Sequence, residues 1–163
     1  MIPTRCLPVA PADGPVRRFT ILCVDDDPAI PKIYERHLKP YGLRVLCACS
    51  GQEGYTSALE ASPDLILLEY LLPDEDGVQL LARLRAHPGT ADVRVLMLTG
   101  SDTPAIRRRI LFLGVSGVLE KPVDFGELIE QISQFGTLLP VDRSPASHPV
   151  GRDFGLILVV KLA

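Results

Sequence analysis

The sequence predicts an α/β domain built on a doubly wound parallel sheet, and two observations carry that reading. Between residues 19 and 135 short, uniformly apolar runs alternate with longer amphipathic ones in five strand–helix units. Continuous apolar runs joined by helices mark strands buried on both faces, as in a parallel sheet covered on each side. In addition, polar and charged residues gather where the apolar runs end, which is where such a sheet places its ligand chemistry.

The elements follow in order. Phe19 to Val24 is the first strand, bounded by the turn signal Asp25-Asp26-Asp27-Pro28. Asp27-Pro28 has the chemistry of an N-cap followed by proline at the first helical position, and a helix runs from there to about Lys39. Pro31 falls in its first turn, where a missing N–H costs little, and Pro40 and Gly42 end it. Leu43–Ala48 is a strand and Gln52–Ala61 a helix; Asp64–Glu69 is a strand and Glu75–Ala86 a helix. Val93–Leu98 and Thr103–Leu113 make the fourth pair, Val115–Leu119 and Asp124–Phe135 the fifth.

The flanks differ in composition. Residues 1–18, rich in proline and alanine, read as a disordered leader. Residues 136–152 carry Pro140, Pro145 and Pro149 among Ser, Asp and Gly, the composition of a linker, and Phe154–Val160 reads as one apolar, strand-like run. Such a run seldom stays solvated alone, so it is expected to pair at a sheet edge or to pack in a dimer interface.

Composition narrows the function classes. The chain has 163 residues, a net charge of −3 and 23% charged residues, so it carries no basic surplus for nucleic acid or an anionic membrane. Arg107-Arg108-Arg109 is the one basic run, and a solvated helix face is its ordinary explanation. Met1–Pro15 lacks the apolar core of a signal peptide, and Leu156–Val160 is too short to span a bilayer, so a cytoplasmic location is expected. The four cysteines (Cys6, Cys23, Cys47, Cys49) lack zinc-site spacing. Cys47 and Cys49, two apart on a strand, are expected to share a face as reduced core side chains.

The chemistry lies at the strand ends. Asp25 and Asp26 follow the first strand, Glu69 closes the third, Thr99 the fourth, and Lys121-Pro122 follows the fifth. In a doubly wound sheet these converge on one edge, giving three carboxylates, a hydroxyl and an ammonium in one pocket. Clustered carboxylates raise one another's pKa unless a cation compensates, and Lys121 or a hard divalent ion such as Mg²⁺ supplies that charge. Asp27 is explained as a capping residue.

Four segments resemble the response-regulator receiver domain of two-component systems: Ile21–Pro28, Pro63–Gly77, Val95–Gly100 and Gly117–Pro122. The resemblance covers residues 19–135 and implies a flavodoxin-like sheet in the order 2-1-3-4-5, with a cis peptide between Lys121 and Pro122. It further implies a phosphoacceptor position at Glu69, a metal set of Asp25, Asp26 and the Leu71 carbonyl, a switch hydroxyl at Thr99 and a phosphoryl-binding ammonium at Lys121. Mg²⁺ and the lysine would neutralise charge on a transferred phosphoryl group.

Two departures qualify that. The acceptor position holds glutamate, whose extra methylene puts the carboxylate roughly 1 Å further forward, where a phosphoryl group would begin. The position of the switch aromatic is Val118. Together they point to an atypical, stand-alone receiver module with weak Mg²⁺ binding, independent of phosphorylation and not an enzyme. Its expected partner is a histidine kinase or a downstream signalling protein, docking on the face of the fourth helix, fifth strand and fifth helix. No direct nucleic-acid or membrane contact is expected, and a homodimer is left open. The competing readings are a working phosphoacceptor in a phosphorelay and a Mg²⁺-dependent phosphohydrolase. The latter needs an aspartate nucleophile with a second acid two residues on, which Glu69-Tyr70-Leu71 does not supply.

Overall fold

A computed structural model describes residues 18–100, 103–135, 137–139 and 157–159. Five parallel strands, β1 (Thr20–Val24), β2 (Arg44–Ala48), β3 (Leu65–Glu69), β4 (Arg94–Thr99) and β5 (Gly117–Glu120), form one sheet in the order β2-β1-β3-β4-β5. The helices between them are α1 (Ala29–Leu38), α2 (Gly51–Ala61), α3 (Gly77–Ala86), α4 (Pro104–Phe112) and α5 (Phe125–Ser133). The doubly wound fold and its strand order are those expected, and the Lys121–Pro122 peptide is cis.

Strand composition explains the layering. Every residue of β1 and β3 is buried, so successive side chains feed two separate cores. Ile21, Cys23, Leu65 and Leu67 pack with Tyr34 and Leu38 of α1 and with Leu128 and Ile132 of α5. Leu22, Val24, Ile66 and Leu68 face the other way, against Ala58 of α2, Leu80, Leu81 and Leu84 of α3, and Ile110 of α4. α1 gives way to a 3-10 turn at Lys39–Tyr41, closed by Gly42 at φ 72°, a left-handed conformation that glycine adopts at least cost.

Several local expectations are corrected. Pro28, rather than Asp27, is the N-cap of α1, and the Asp27 carboxylate instead accepts the Ala29 N–H at 2.9 Å. α3 begins at Gly77, two residues beyond Glu75, because Asp76 forms a reciprocal capping box with Gln79. β5 starts at Gly117 rather than Val115. Cys23 is a core residue, but Cys47 and Cys49 are exposed. β2 is an edge strand with one neighbour, and Ala48 is its fully buried residue.

Beyond α5, β6 (Thr137–Leu139) pairs antiparallel with β7 (Ile157–Val159) in a separate two-stranded sheet. Within the apolar tail, Ile157–Val159 therefore pairs with a segment of its own chain rather than on the edge of the main sheet, and Thr137–Leu139 of the expected linker is itself a strand. Residues 1–17, with Cys6, and most of 140–163 lie outside the described residues.

Candidate functional site

The carboxyl ends of β1, β3, β4 and β5 meet at one rim, and backbone hydrogen bonds fix what each presents there. The Asp25 N–H donates to the Ala48 carbonyl at 3.0 Å, placing Asp25 directly above β1. The Tyr70 N–H donates to Leu98 O at 2.9 Å, and the Lys121 N–H to Thr99 O at 2.8 Å, which ties the residues after β3 and β5 to β4. The Gly77 N–H donates to Tyr70 O at 2.7 Å. A Cβ at Gly77 would lie 2.5 Å from the Glu69 carbonyl oxygen, so that close approach of α3 to the end of β3 requires glycine.

Glu69 is only 7% exposed and spans two kinds of partner. Its Oε1 accepts the N–H groups of Tyr70 and Leu71, at 2.8 and 3.2 Å. Its Oε2 accepts no well-directed hydrogen bond but is ion-paired with the Lys121 ammonium. Lys121 Nζ also donates to Asp25 Oδ2 at 2.7 Å, and Asp25 is 1% exposed, with its Oδ1 accepting the Asp27 N–H at 3.0 Å. One ammonium thus bridges two buried carboxylates. Burial acts to lower the Lys121 pKa, yet its hydrogen bond to Asp25 and the charges of Glu69 and Asp25 outweigh it, and the pKa is raised above the ordinary lysine value. Lys121 is therefore fully charged at neutral pH.

The remaining predicted residues fall differently. Thr99 is buried at the end of β4, on the same rim. Val118 sits opposite Met97 in the β4–β5 register and packs against the core on the α2–α3 side. Asp26 is exposed beside the pocket, and the Leu71 side chain is 69% exposed. Among the described residues no three acidic, histidine or cysteine side chains converge on a point that could hold a metal ion. With Asp25 and Glu69 both committed to Lys121, the side chains present do not fit a divalent ion between them.

Sequence reading missed the loop that braces this rim. Asp74 accepts the N–H groups of Gly51 and Gln52, at 2.7 and 2.9 Å, at the start of α2. Glu75 pairs with Arg83, Arg83 donates to Gln52 Oε1 at 2.8 Å, and its guanidinium lies 4.3 Å from the Tyr55 ring centroid. Asp76 caps α3 and lies 3.7 Å from Arg109 of α4. The pair Asp76 and Gln79, three apart before an apolar run, carried a capping-box signal; Asp74 carried none, because its partners are 22 and 23 residues away.

Comparison with known proteins accords with this geometry. The family profile for the response regulator receiver domain matches residues 21–133. The DNA-binding dual master transcriptional regulator RpaA of Synechocystis sp. is 36% identical over 125 residues, covering 77% of this chain and 51% of that protein. The transcriptional regulatory protein GltR of Pseudomonas aeruginosa is 35% identical over 113 residues, covering 69% and 47%. The chain thus spans about half the length of these curated relatives. Among solved structures, a putative response regulator from Chloroflexus aurantiacus superposes with a TM-score of 0.68 at 31% identity, covering 72% of this chain and 97% of that one. A CheY-like receiver domain protein from Methanospirillum hungatei gives 0.67 at 30%, covering 72% and 93%.

Proposed function

The chain belongs to the response regulator receiver domain family of two-component signalling, and from that premise we propose that it is a phosphorylation-independent receiver that signals through protein–protein contact. The observation that carries this is the Glu69 carboxylate, buried and divided between the Tyr70 and Leu71 amides and the Lys121 ammonium. Receiver domains are signalling modules rather than turnover enzymes, and those of this family typically bind Mg²⁺ at the acidic pocket. Here the carboxylate already fills the place of the incoming phosphoryl group and already engages the phosphoryl-binding lysine. Its charge imitates, in part and permanently, what phosphorylation would supply. Val118 in place of the switch aromatic removes the moving part that would read a change at Thr99.

The partner face we assign is that of α4, β5 and α5, where a histidine kinase or a downstream protein would dock. Its support is on α4, which exposes Leu111 and Phe112 beside Arg107–Arg109. No helix among the described residues is long and apolar enough to cross a membrane, and a cytoplasmic location is part of this proposal.

Incubation with acetyl phosphate and Mg²⁺, read by intact mass, tests the reading. No stable phosphate adduct is expected on the wild-type chain, whereas Glu69→Asp should regain some acceptance because the rest of the pocket is kept. A single phosphate on the unaltered protein, absent from Glu69→Gln, would establish a working phosphoacceptor instead.

A further inference from the structure

We infer that Lys121 is the resident cation of this pocket: its ammonium takes the place between Asp25 and Glu69 that a divalent ion would have to fill. This deepens the phosphorylation-independent reading and rests on it. Two buried carboxylates on one rim, 1% and 7% exposed, cannot both stay ionised without a compensating charge. In this chain that charge is covalently attached. Lys121 is anchored by its own N–H on Thr99 O and reaches both carboxylates. A hydrated Mg²⁺ sheds water reluctantly and demands near-octahedral oxygen geometry. To enter it would have to expel a tethered ammonium from both acids, or leave that ammonium facing a second cation.

The glutamate is what makes the arrangement possible. Its length lets Oε1 stay on the Tyr70 and Leu71 amides while Oε2 meets Lys121. An aspartate, one methylene shorter, would span less of that gap, and the charge it leaves less fully engaged is what we expect a metal to meet. Breaking a buried ion cluster by deleting one partner leaves uncompensated charge, which must then be neutralised by a proton or by an ion from solution. Lys121→Met and Glu69→Asp are therefore two independent routes to the same outcome: a pocket that acquires dependence on a divalent cation.

Mn²⁺ and Mg²⁺ serve as the probes. Free Mn²⁺ is followed by electron paramagnetic resonance, and thermal melting is recorded in millimolar Mg²⁺ and in EDTA, with acetyl phosphate treatment and intact mass in parallel. The wild-type chain should leave the free Mn²⁺ signal unchanged and melt at one temperature in both buffers. Lys121→Met should take up one Mn²⁺ per chain, melt lower in EDTA and recover with Mg²⁺. Glu69→Asp should do the same to a smaller degree, and it keeps the test decisive if Lys121→Met fails to fold. Uptake of one Mn²⁺ by the wild-type chain at submillimolar concentration overturns the assignment, as does the absence of any metal response in both variants. A phosphate adduct on Glu69 overturns the phosphorylation-independent reading whichever way the Mn²⁺ result falls. Mn²⁺ uptake without an adduct overturns the cation assignment alone.

Discussion

The rim of the sheet and the surface of α4 invert the usual distribution of polarity. At the rim, Asp25, Glu69 and Thr99 are buried and Lys121 is half-buried, with charge turned inward on charge. On α4, Ile110 is the buried residue, while Phe112 is 90% exposed and Leu111 more than half exposed. Buried charge survives only where it is paired, and a contiguous exposed apolar patch often marks a binding surface. On the proposed reading the rim is self-contained and α4 is the region that addresses a partner. Disturbing the first should cost stability, and disturbing the second should cost contact.

The sharpest way to expose that difference is to remove packing directly beneath the rim. Leu67 is fully buried in β3, two residues before Glu69 and in register with Cys23 and Leu96. Leu67→Ala should destabilise by about 2–5 kcal/mol, the range for a cavity left in a close-packed core. Denaturant unfolding measures this, and a loss below about 1 kcal/mol would mean the core under the pocket collapses around the gap.

Next in size is Gly77→Ala. The added methyl would sit 2.5 Å from Glu69 O and 3.2 Å from Met97 Sδ, so α3 must shift away from the end of β3. A cost of about 1–3 kcal/mol follows, as for other overpacked sites. Because the shift moves the backbone that carries Glu69, the Tyr70 and Leu71 amides should change their chemical shifts as well. Unchanged amide resonances would show that the rim is insulated from α3.

What could be read in the sequence divides along physical lines. Strand order followed from the family resemblance, whereas the burial of β1 and β3 and the meeting of Asp25, Glu69, Thr99 and Lys121 were legible in the residues themselves. Apolar runs identify buried strands, and a doubly wound sheet brings their ends together. The order 2-1-3-4-5 already put the second strand at an edge, and Cys47 and Cys49 emerge exposed because their spacing was read as core without weighing that position. That Lys121 would offset the clustered acids was expected, but that one ammonium reaches Asp25 and Glu69 together, across 96 and 52 residues of chain, is encoded by no local pattern. Arg85 is similar: it donates to the carbonyls of Val93, Leu113 and Gly114, bracing the base of α4, and nothing around it in sequence marks it.

A smaller effect lies between the two regions, in the loop at Asp74. Its carboxylate pKa is held below the usual value by the N–H groups of Gln52 and Gly51, at the positive end of α2. A lowered folded pKa means that its stabilising contribution is present above the unfolded carboxyl pKa and is lost as the pH falls through the folded value. Asp74→Asn should therefore melt below the wild type at neutral pH, with the gap closing as the pH falls below the ordinary carboxyl range. A gap that stays constant across that range would mean the hydrogen bonds to α2, rather than the charge, carry the effect.

The smallest expected change in stability belongs to Phe112→Ser, and it is the most informative about α4. The ring is almost wholly in solvent beside Arg108 and Arg109, over an open, largely apolar groove of about 530 Å³ that Val78 and Leu113 complete. Replacing an exposed ring by serine removes little packing, so the melting transition should stay within about 0.5 kcal/mol of the wild type. If α4 is the contact face, the same substitution should abolish signalling output in cells at unchanged protein abundance, with Arg109→Glu as a second lesion on the same surface. Leu67→Ala should lower output only in proportion to the folded protein it removes. Output retained in Phe112→Ser would move the contact away from α4. A clear drop in its melting temperature would show instead that Phe112 is packed in solution, which would erase the contrast between the two regions.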